Sequence, residues 1–256
     1  MKAPFTLMNK LGLDTASQIV KDFCEEHSGF SFPTSLQKSK DNGQWDISTI
    51  VKTVQDKVAI FTLRRPKVLN ALNLNVIAEL ESGLLEVENN DSILGSVITG
   101  FGVKAFVSGA DINMLAGLKT PKEGYENARS FQVVFSRIQQ MNKPIICAMN
   151  GFAFGGGNEL AMSCTMRISK KDLPILACQP EVNLGFIPGA GGTQRLPRLV
   201  GLDIASDILR TGRPVSANKA FEIGLIDKLV DGDLILEGIE CVNQITNGTL
   251  PIIPMV

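Results

Sequence analysis

The chain has 256 residues, of which 44% are hydrophobic and 20% charged, and its formal net charge is −1. This fits one ordinary domain, or one domain with an appendage, and excludes a disordered chain. No long basic run invites nucleic acid or an anionic membrane, and no apolar run reaches the ~18 residues of a membrane helix.

Residues 1–45 differ from the rest. "PFTLMNKLGLDTASQIVKDFCEEHSG" has helical periodicity, with Asp14 as the expected N-cap and Ile19, Val20 and Phe23 as an apolar stripe. "PTSLQKSKDNGQW" (33–45) reads as a polar linker ending in a turn, which places a domain boundary at 45/46. Beyond it, "IVKTV" (50–54) and "VAIFTL" (58–63) flank "QDK" as a β-hairpin. "NVIAELESGLLEVE" (75–88) is an amphipathic helix with Ile77, Leu80, Leu84 and Val87 on one face. "GSVITG" (95–100) is a short buried strand, "YENARSFQVVFSRIQQM" (125–141) a helix and "KPIICAMNG" (143–151) a strand. "GLDIASDILRTG" (201–212) and "SANKAFEIG" (216–224) are helices closed by glycine. Strands alternating with helices predict an α/β fold with largely parallel pairing.

The five cysteines are scattered, with neither CxxC nor zinc-finger spacing, and read as reduced, buried thiols; no metal site is expected. The start "MKAPFTLMNK" has no signal-peptide apolar core. A cytoplasmic location is expected, or the mitochondrial matrix if the source is eukaryotic. The single histidine, His27, lies in the polar "CEEHSG" and reads as a surface residue. Catalysis would then rest on carboxylates, lysines or backbone.

Three stretches stand out. "AMNGFAFGGGNELAMSC" (148–164) places three glycines where a strand ends and a helix begins, with Glu159 one helical turn beyond Gly156. The free N–H groups of such a helix start can hold an oxyanion or a phosphate. A tight turn with an acid in the first helical turn explains the same residues equally well. Neither GxGxxG nor GxxxxGK[ST] is present, so a nucleotide loop fits poorly. "GVKAFVSGADIN" (102–113) offers a second small-residue turn, with an amide at Ala110; taken alone, Asp111 reads as a helix cap. "QPEVNLGFIPGAGGTQRLPRLVG" (179–201) carries Glu181 and another glycine loop; taken alone, Glu181 reads as a solvated loop residue and Arg195 as a helix charge.

Together, and in this order, these stretches resemble the crotonase, or enoyl-CoA hydratase/isomerase, superfamily over roughly residues 50–250. "RRPKVLNALN" (64–73) is similar to the early motif of that family. The resemblance implies a crotonase-like spiral of ββα turns in 46–256, with a short helical N-terminal appendage and a C-terminal helical region shorter than usual. It implies that the Ala110 and Gly156 amides form an oxyanion hole for a thioester carbonyl. It implies Glu159 as the base that activates water and Glu181 as the acid that protonates carbon. Ser108, Asp111, Lys104, Leu69 and Ala71 would line the CoA groove. The implied activity is hydration of trans-2-enoyl-CoA, with no cofactor beyond the coenzyme A of the substrate. The alternatives are an isomerase of the same family and an inert acyl-CoA-binding fragment. The implied assembly is a homotrimer or a dimer of trimers, without nucleic acid or membrane partners. Residues 1–45 resemble the C-terminal end of 3-hydroxyacyl-CoA dehydrogenases, which implies fusion to, or association with, such an enzyme.

Overall fold

The structure, a computed structural model, describes residues 11–33, 36–37 and 48–252. The chain divides into two compact units, Met1–Ser48 and Thr49–Val256. The "PFTLMNK" start and most of the expected linker lie outside the described residues.

In the first unit, helix α1 (Leu13–Glu26) begins at Gly12, which caps it with a φ of 79° and no side chain. Asp14 is not the cap; it sits in the first turn, where its charge still favours the helix dipole. The expected stripe is corrected too. Ala16 and Ser17 are buried, whereas Ile19 and Phe23 are 52% and 44% exposed. Phe23 instead stacks on the exposed His27, their ring centres 4.2 Å apart.

The second unit opens with the expected hairpin, β1 (Ile50–Gln55) antiparallel to β2 (Val58–Leu63). Its turn is Asp56–Lys57, with φ of 49° and 63°. Two left-handed residues give a turn whose twist matches that of the strands. Strands β3 (Gly95–Gly100), β5 (Ile145–Met149), β7 (Met166–Lys170) and β9 (Lys228–Val230) extend a six-stranded sheet in the order β1-β2-β3-β5-β7-β9, parallel from β2 onward. A second parallel sheet joins β4 (Ala105–Val107), β6 (Phe152–Phe154) and β8 (Ala177–Cys178). Each of three passages lays a strand in the large sheet, then one in the small sheet, and then enters helical structure. This is the spiral of ββα turns.

The large sheet is covered on both faces, so its central strands read as continuous apolar runs. In β5, Ile145, Cys147 and Met149 join the main core, while Ile146 and Ala148 join a smaller cluster with Val242 and Ile239 of α9 (Leu234–Thr246). Helix α2 (Leu74–Glu88) buries Ile77, Leu80, Leu84 and Val87, the expected face, and Asn73 caps it by accepting from Val76 N. Helix α3 (Ile112–Ala116) follows β4. Helix α4 (Pro121–Gln140) starts four residues before the expected 125, because Thr120 and Glu123 form a capping box with proline at the first helical position.

A buried knot ties the early motif to the small sheet. Leu69 and Asn70 are both left-handed, with φ of 51° and 60°. The Asn70 amide donates to the carbonyls of Phe101, Ala105 and Phe106, and its Oδ1 accepts from Arg65 N at 3.1 Å. Leu72 N then donates to Gly109 O (2.8 Å), and Asp111 N to Leu72 O (2.7 Å). This ladder leaves the intervening Ala110 amide without a partner among the described residues. Asn70→Ala would strip donors from buried carbonyls. We expect it to lower the unfolding free energy by about 2–4 kcal/mol, read by denaturant titration.

Candidate active site

The three consecutive glycines of 148–164 sit in three different surroundings. Gly155 adopts φ 48°, ψ −120°, a conformation open to glycine but costly for other residues. A Cβ there would also stand 2.8 Å from Glu181 Oε1. Gly156 begins α5 (Gly156–Ser163), so its amide has no partner within the helix. A Cβ on Gly156 would lie 3.5 Å from the Ala110 amide nitrogen and 3.7 Å from Leu72 Cδ1. The two unpartnered amides therefore border one small space. Gly157 faces inward, where a Cβ would meet the Val107 carbonyl at 2.5 Å; its bareness lets α5 lie directly on β4.

Glu159 sits one turn into α5 and is 2% exposed. Its Oε1 accepts from Ala190 N at 2.8 Å and Gly192 N at 2.7 Å. Gly192 is the first residue of α6 (Gly192–Val200), so the carboxylate also meets the positive end of that helix dipole. Desolvation raises the Glu159 pKa above the ordinary carboxylate range, while the two amides and Arg195 oppose the rise. The glycine loop that grips it is itself held by α4: Gln132 Nε2 donates to Gly189 O at 2.7 Å.

Glu181 lies on a 3-10 turn (Pro180–Leu184) after β8 and is 6% exposed. It is not a solvated loop residue. Its Oε2 is buried and receives no hydrogen bond among the described residues. Burial, with the Glu159 charge adding to it, pushes the Glu181 pKa up to about 7, so a sizeable fraction is protonated at neutral pH. The two neighbouring carboxyls thus differ in their surroundings. Glu159 is gripped by two loop amides with a cation nearby, whereas Glu181 Oε2 receives no hydrogen bond among the described residues.

The remaining candidates are more dispersed. Asp111 caps α3 by accepting from Asn113 N at 3.0 Å, and it is paired with Arg65 Nη2 at 2.8 Å. Arg65 holds its pKa below the ordinary range. Ser108 Oγ donates to Val68 O at 3.0 Å, and Ser108 N to Leu69 O at 3.0 Å. Ala71 is buried, and its carbonyl accepts from Arg65 Nη1 at 2.6 Å. Lys104 is exposed on the bend before β4. Arg195, read from sequence as a helix charge, is 6% exposed and points into the site region. Sequence reasoning also passed over Gln179, wholly buried, whose amide nitrogen, in the orientation that satisfies it, donates to Cys178 O at 2.9 Å and Gly155 O at 3.2 Å. Gln179 precedes Glu181 in the quoted motif, but nothing local marks it as buried. All five cysteines are free thiols, four of them buried. Among the described residues no group of His, Cys, Asp and Glu is placed to hold a metal, and no helix is long and apolar enough to cross a membrane.

The parallel spiral of ββα turns defines the fold class, and the comparisons give the family. Residues 53–255 match the family model described as Enoyl-CoA hydratase/isomerase. The chain is 40% identical over 203 residues to the Short-chain-enoyl-CoA hydratase of Clostridium acetobutylicum, covering 79% of this chain and 77% of that protein. It is 43% identical over 187 residues to the Crotonyl-CoA hydratase of Syntrophomonas wolfei, covering 73% and 71% respectively. The crystal structure of an enoyl-CoA hydratase from Bacillus anthracis superposes with a TM-score of 0.72 at 34% identity, over 77% of this chain and 76% of that one. The chain belongs to the enoyl-CoA hydratase/isomerase family.

Burying Glu181 has a stability consequence. A carboxyl whose pKa rises on folding favours the fold below its ordinary pKa and ceases to as pH climbs through the raised value. For Glu181 the window runs from 4.5 to about 7, worth up to about 3 kcal/mol. Glu181→Gln cannot ionise. It should therefore be more stable than the parent at pH 8, with the gap closing by pH 4.5, in paired denaturant titrations.

Proposed function

We propose that the protein is an enoyl-CoA hydratase, adding water to trans-2-enoyl-CoA to give 3-hydroxyacyl-CoA. The observation that carries this reading is the pair of buried, electrostatically coupled carboxyls, Glu159 and Glu181, beside the free amides of Ala110 and Gly156.

The thioester carbonyl would accept from the Ala110 and Gly156 amides. Glu159, ionised by its two amide donors and Arg195, takes a proton from water, and the water oxygen bonds to the β-carbon. The π electrons move through the α-carbon onto the thioester oxygen, and the two amides stabilise the enolate. Collapse of the enolate takes a proton from Glu181 onto the α-carbon. Glu181 suits the acid role because its environment favours the protonated form. One turnover leaves Glu159 protonated and Glu181 ionised, and exchange with solvent restores the pair. No cofactor is needed beyond the coenzyme A of the substrate.

The CoA groove would run along Leu69, Ala71, Ser108 and Lys104. Asp111 shapes it through Arg65 and the α3 cap, since its carboxylate is already engaged. Two carboxyls favour hydration over isomerisation, where one base commonly suffices. The apolar run Val182, Leu184, Phe186 and Ile187 is exposed beside Glu181. It suits burial between copies in a homotrimer or dimer of trimers. The first unit fits fusion to, or association with, a 3-hydroxyacyl-CoA dehydrogenase, and the reading as a whole fits a role in fatty acid oxidation in the cytoplasm or mitochondrial matrix.

Loss of the conjugated-thioester absorbance of crotonyl-CoA tests the reading. The parent should hydrate crotonyl-CoA, and Glu159→Gln and Glu181→Gln should each lower kcat by about 10²–10⁴. Undiminished hydration by Glu159→Gln would remove it as the base. Acyl-CoA binding without turnover in the parent would make the protein a binding module instead.

A further inference from the structure

Arg195 is a buried cation without a carboxylate partner: it is 6% exposed, and no acidic group among the described residues lies within ion-pair distance of it. Leaving a guanidinium in that state is unfavourable unless something nearby supplies negative charge. Its hydrogen bonds show where it is held. Nη1 donates to Ala190 O at 2.9 Å, and Nε donates to Gln139 Oε1 of α4 at 3.1 Å. Ala190 is the residue whose amide grips Glu159. The guanidinium and the carboxylate thus grip the same turn of the loop, the first through the Ala190 carbonyl and the second through the Ala190 and Gly192 amides. Gly191 makes room for this, since a Cβ there would collide with the guanidinium.

We propose that Arg195 is a positioning residue for Glu159, clamping the glycine loop so that its amides stay on the carboxylate, and supplying the buried site's compensating positive charge. This rests on Glu159 acting as the base. The charged groups that face Glu159 are few. Glu181 approaches from the 3-10 turn and Arg195 from α6. Helix α4 presents the neutral Gln139; β4 and β6 carry no titratable side chain; Arg167 of β7 is paired with Asp227 at 2.6 Å. Arg198 and Cys164 act on Arg195 from its other sides. Among the described residues Arg195 is therefore the cation that opposes the desolvation of Glu159.

The test is the pH profile of kcat for hydration of crotonyl-CoA in the parent, Arg195→Gln and Arg195→Lys, with folding checked by thermal denaturation. Ionised Glu159 is required, so its titration sets the acidic limb. Arg195→Gln should move that limb up by about one pH unit and lower the plateau about tenfold. Arg195→Lys keeps the charge but cannot make both directed bonds. It should keep the limb in place and lower the plateau. A limb in folded Arg195→Gln that coincides with the parent's overturns the proposal, since a merely structural clamp would change only the amplitude. Should Arg195→Gln fail to fold, Arg195→Lys decides alone: a limb displaced by a unit, or a plateau equal to the parent's, overturns it. Glu159→Gln separates the two layers. If that variant retains activity, the assignment of the base fails; if it is inactive while Arg195→Gln leaves the limb unmoved, only the Arg195 proposal fails.

Discussion

The structure around the site depends on a carboxylate held in a dry place by two main-chain amides. Glu159 has almost no contact with solvent, and an ion so buried is several kcal/mol too unfavourable to persist without compensation. The compensation comes from Ala190 and Gly192, residues 31 and 33 positions further along the chain. Those amides reach Glu159 only because the loop before α6 folds back over α5. That in turn needs Gln132 of α4 to hold the loop, Gln139 of α4 to hold Arg195, and a left-handed Gly191, φ 108°, to turn the loop into the helix. Three helices and one loop are organised about a single oxygen atom.

The second carboxyl shows the opposite design within the same space. Glu181 is carried to Gly155 by the 3-10 turn at the end of β8, and its outer oxygen has no donor. Satisfying it with another amide would steady the fold, but it would also pull the pKa down and empty the acid of its proton. The missing donor and the burial together keep the Glu181 carboxyl partly protonated near neutral pH.

Period and turn chemistry were legible wherever local sequence decides the outcome. The α2 face and the β1–β2 hairpin follow from spacing alone, and the order of the glycine stretches carried the family. What was not legible depended on burial created by distant segments. Arg195 has the sequence surroundings of an ordinary helix charge, and only the packing of α4 and the glycine loop makes it internal. Asp111 reads correctly as a cap, but its ion pair with Arg65 spans 46 positions and has no local signature. In α1 a helical spacing of Ile19 and Phe23 suggested a core stripe where both residues are half exposed, because periodicity reports a face without saying whether anything covers it.

The run Gly155-Gly156-Gly157 shows why a motif of identical residues need not have one cause. Gly155 is required by its dihedral angles and by the carboxyl beside it, and Gly157 by the approach of α5 to the Val107 backbone, while a Cβ on Gly156 would make only ordinary contacts beside the Ala110 amide. These are limits on conformation and on helix packing, imposed on adjacent atoms by different neighbours. They share a consequence. With α5 pressed on β4 at Gly157, the amide at Gly156 and the acid at Glu159 are fixed to one rigid helix turn, and Ala110 is fixed to the strand on which that helix rests. The positions of the two amides are then set by backbone packing rather than by side-chain rotamers. Such an arrangement can hold a developing charge without reorganising as it forms.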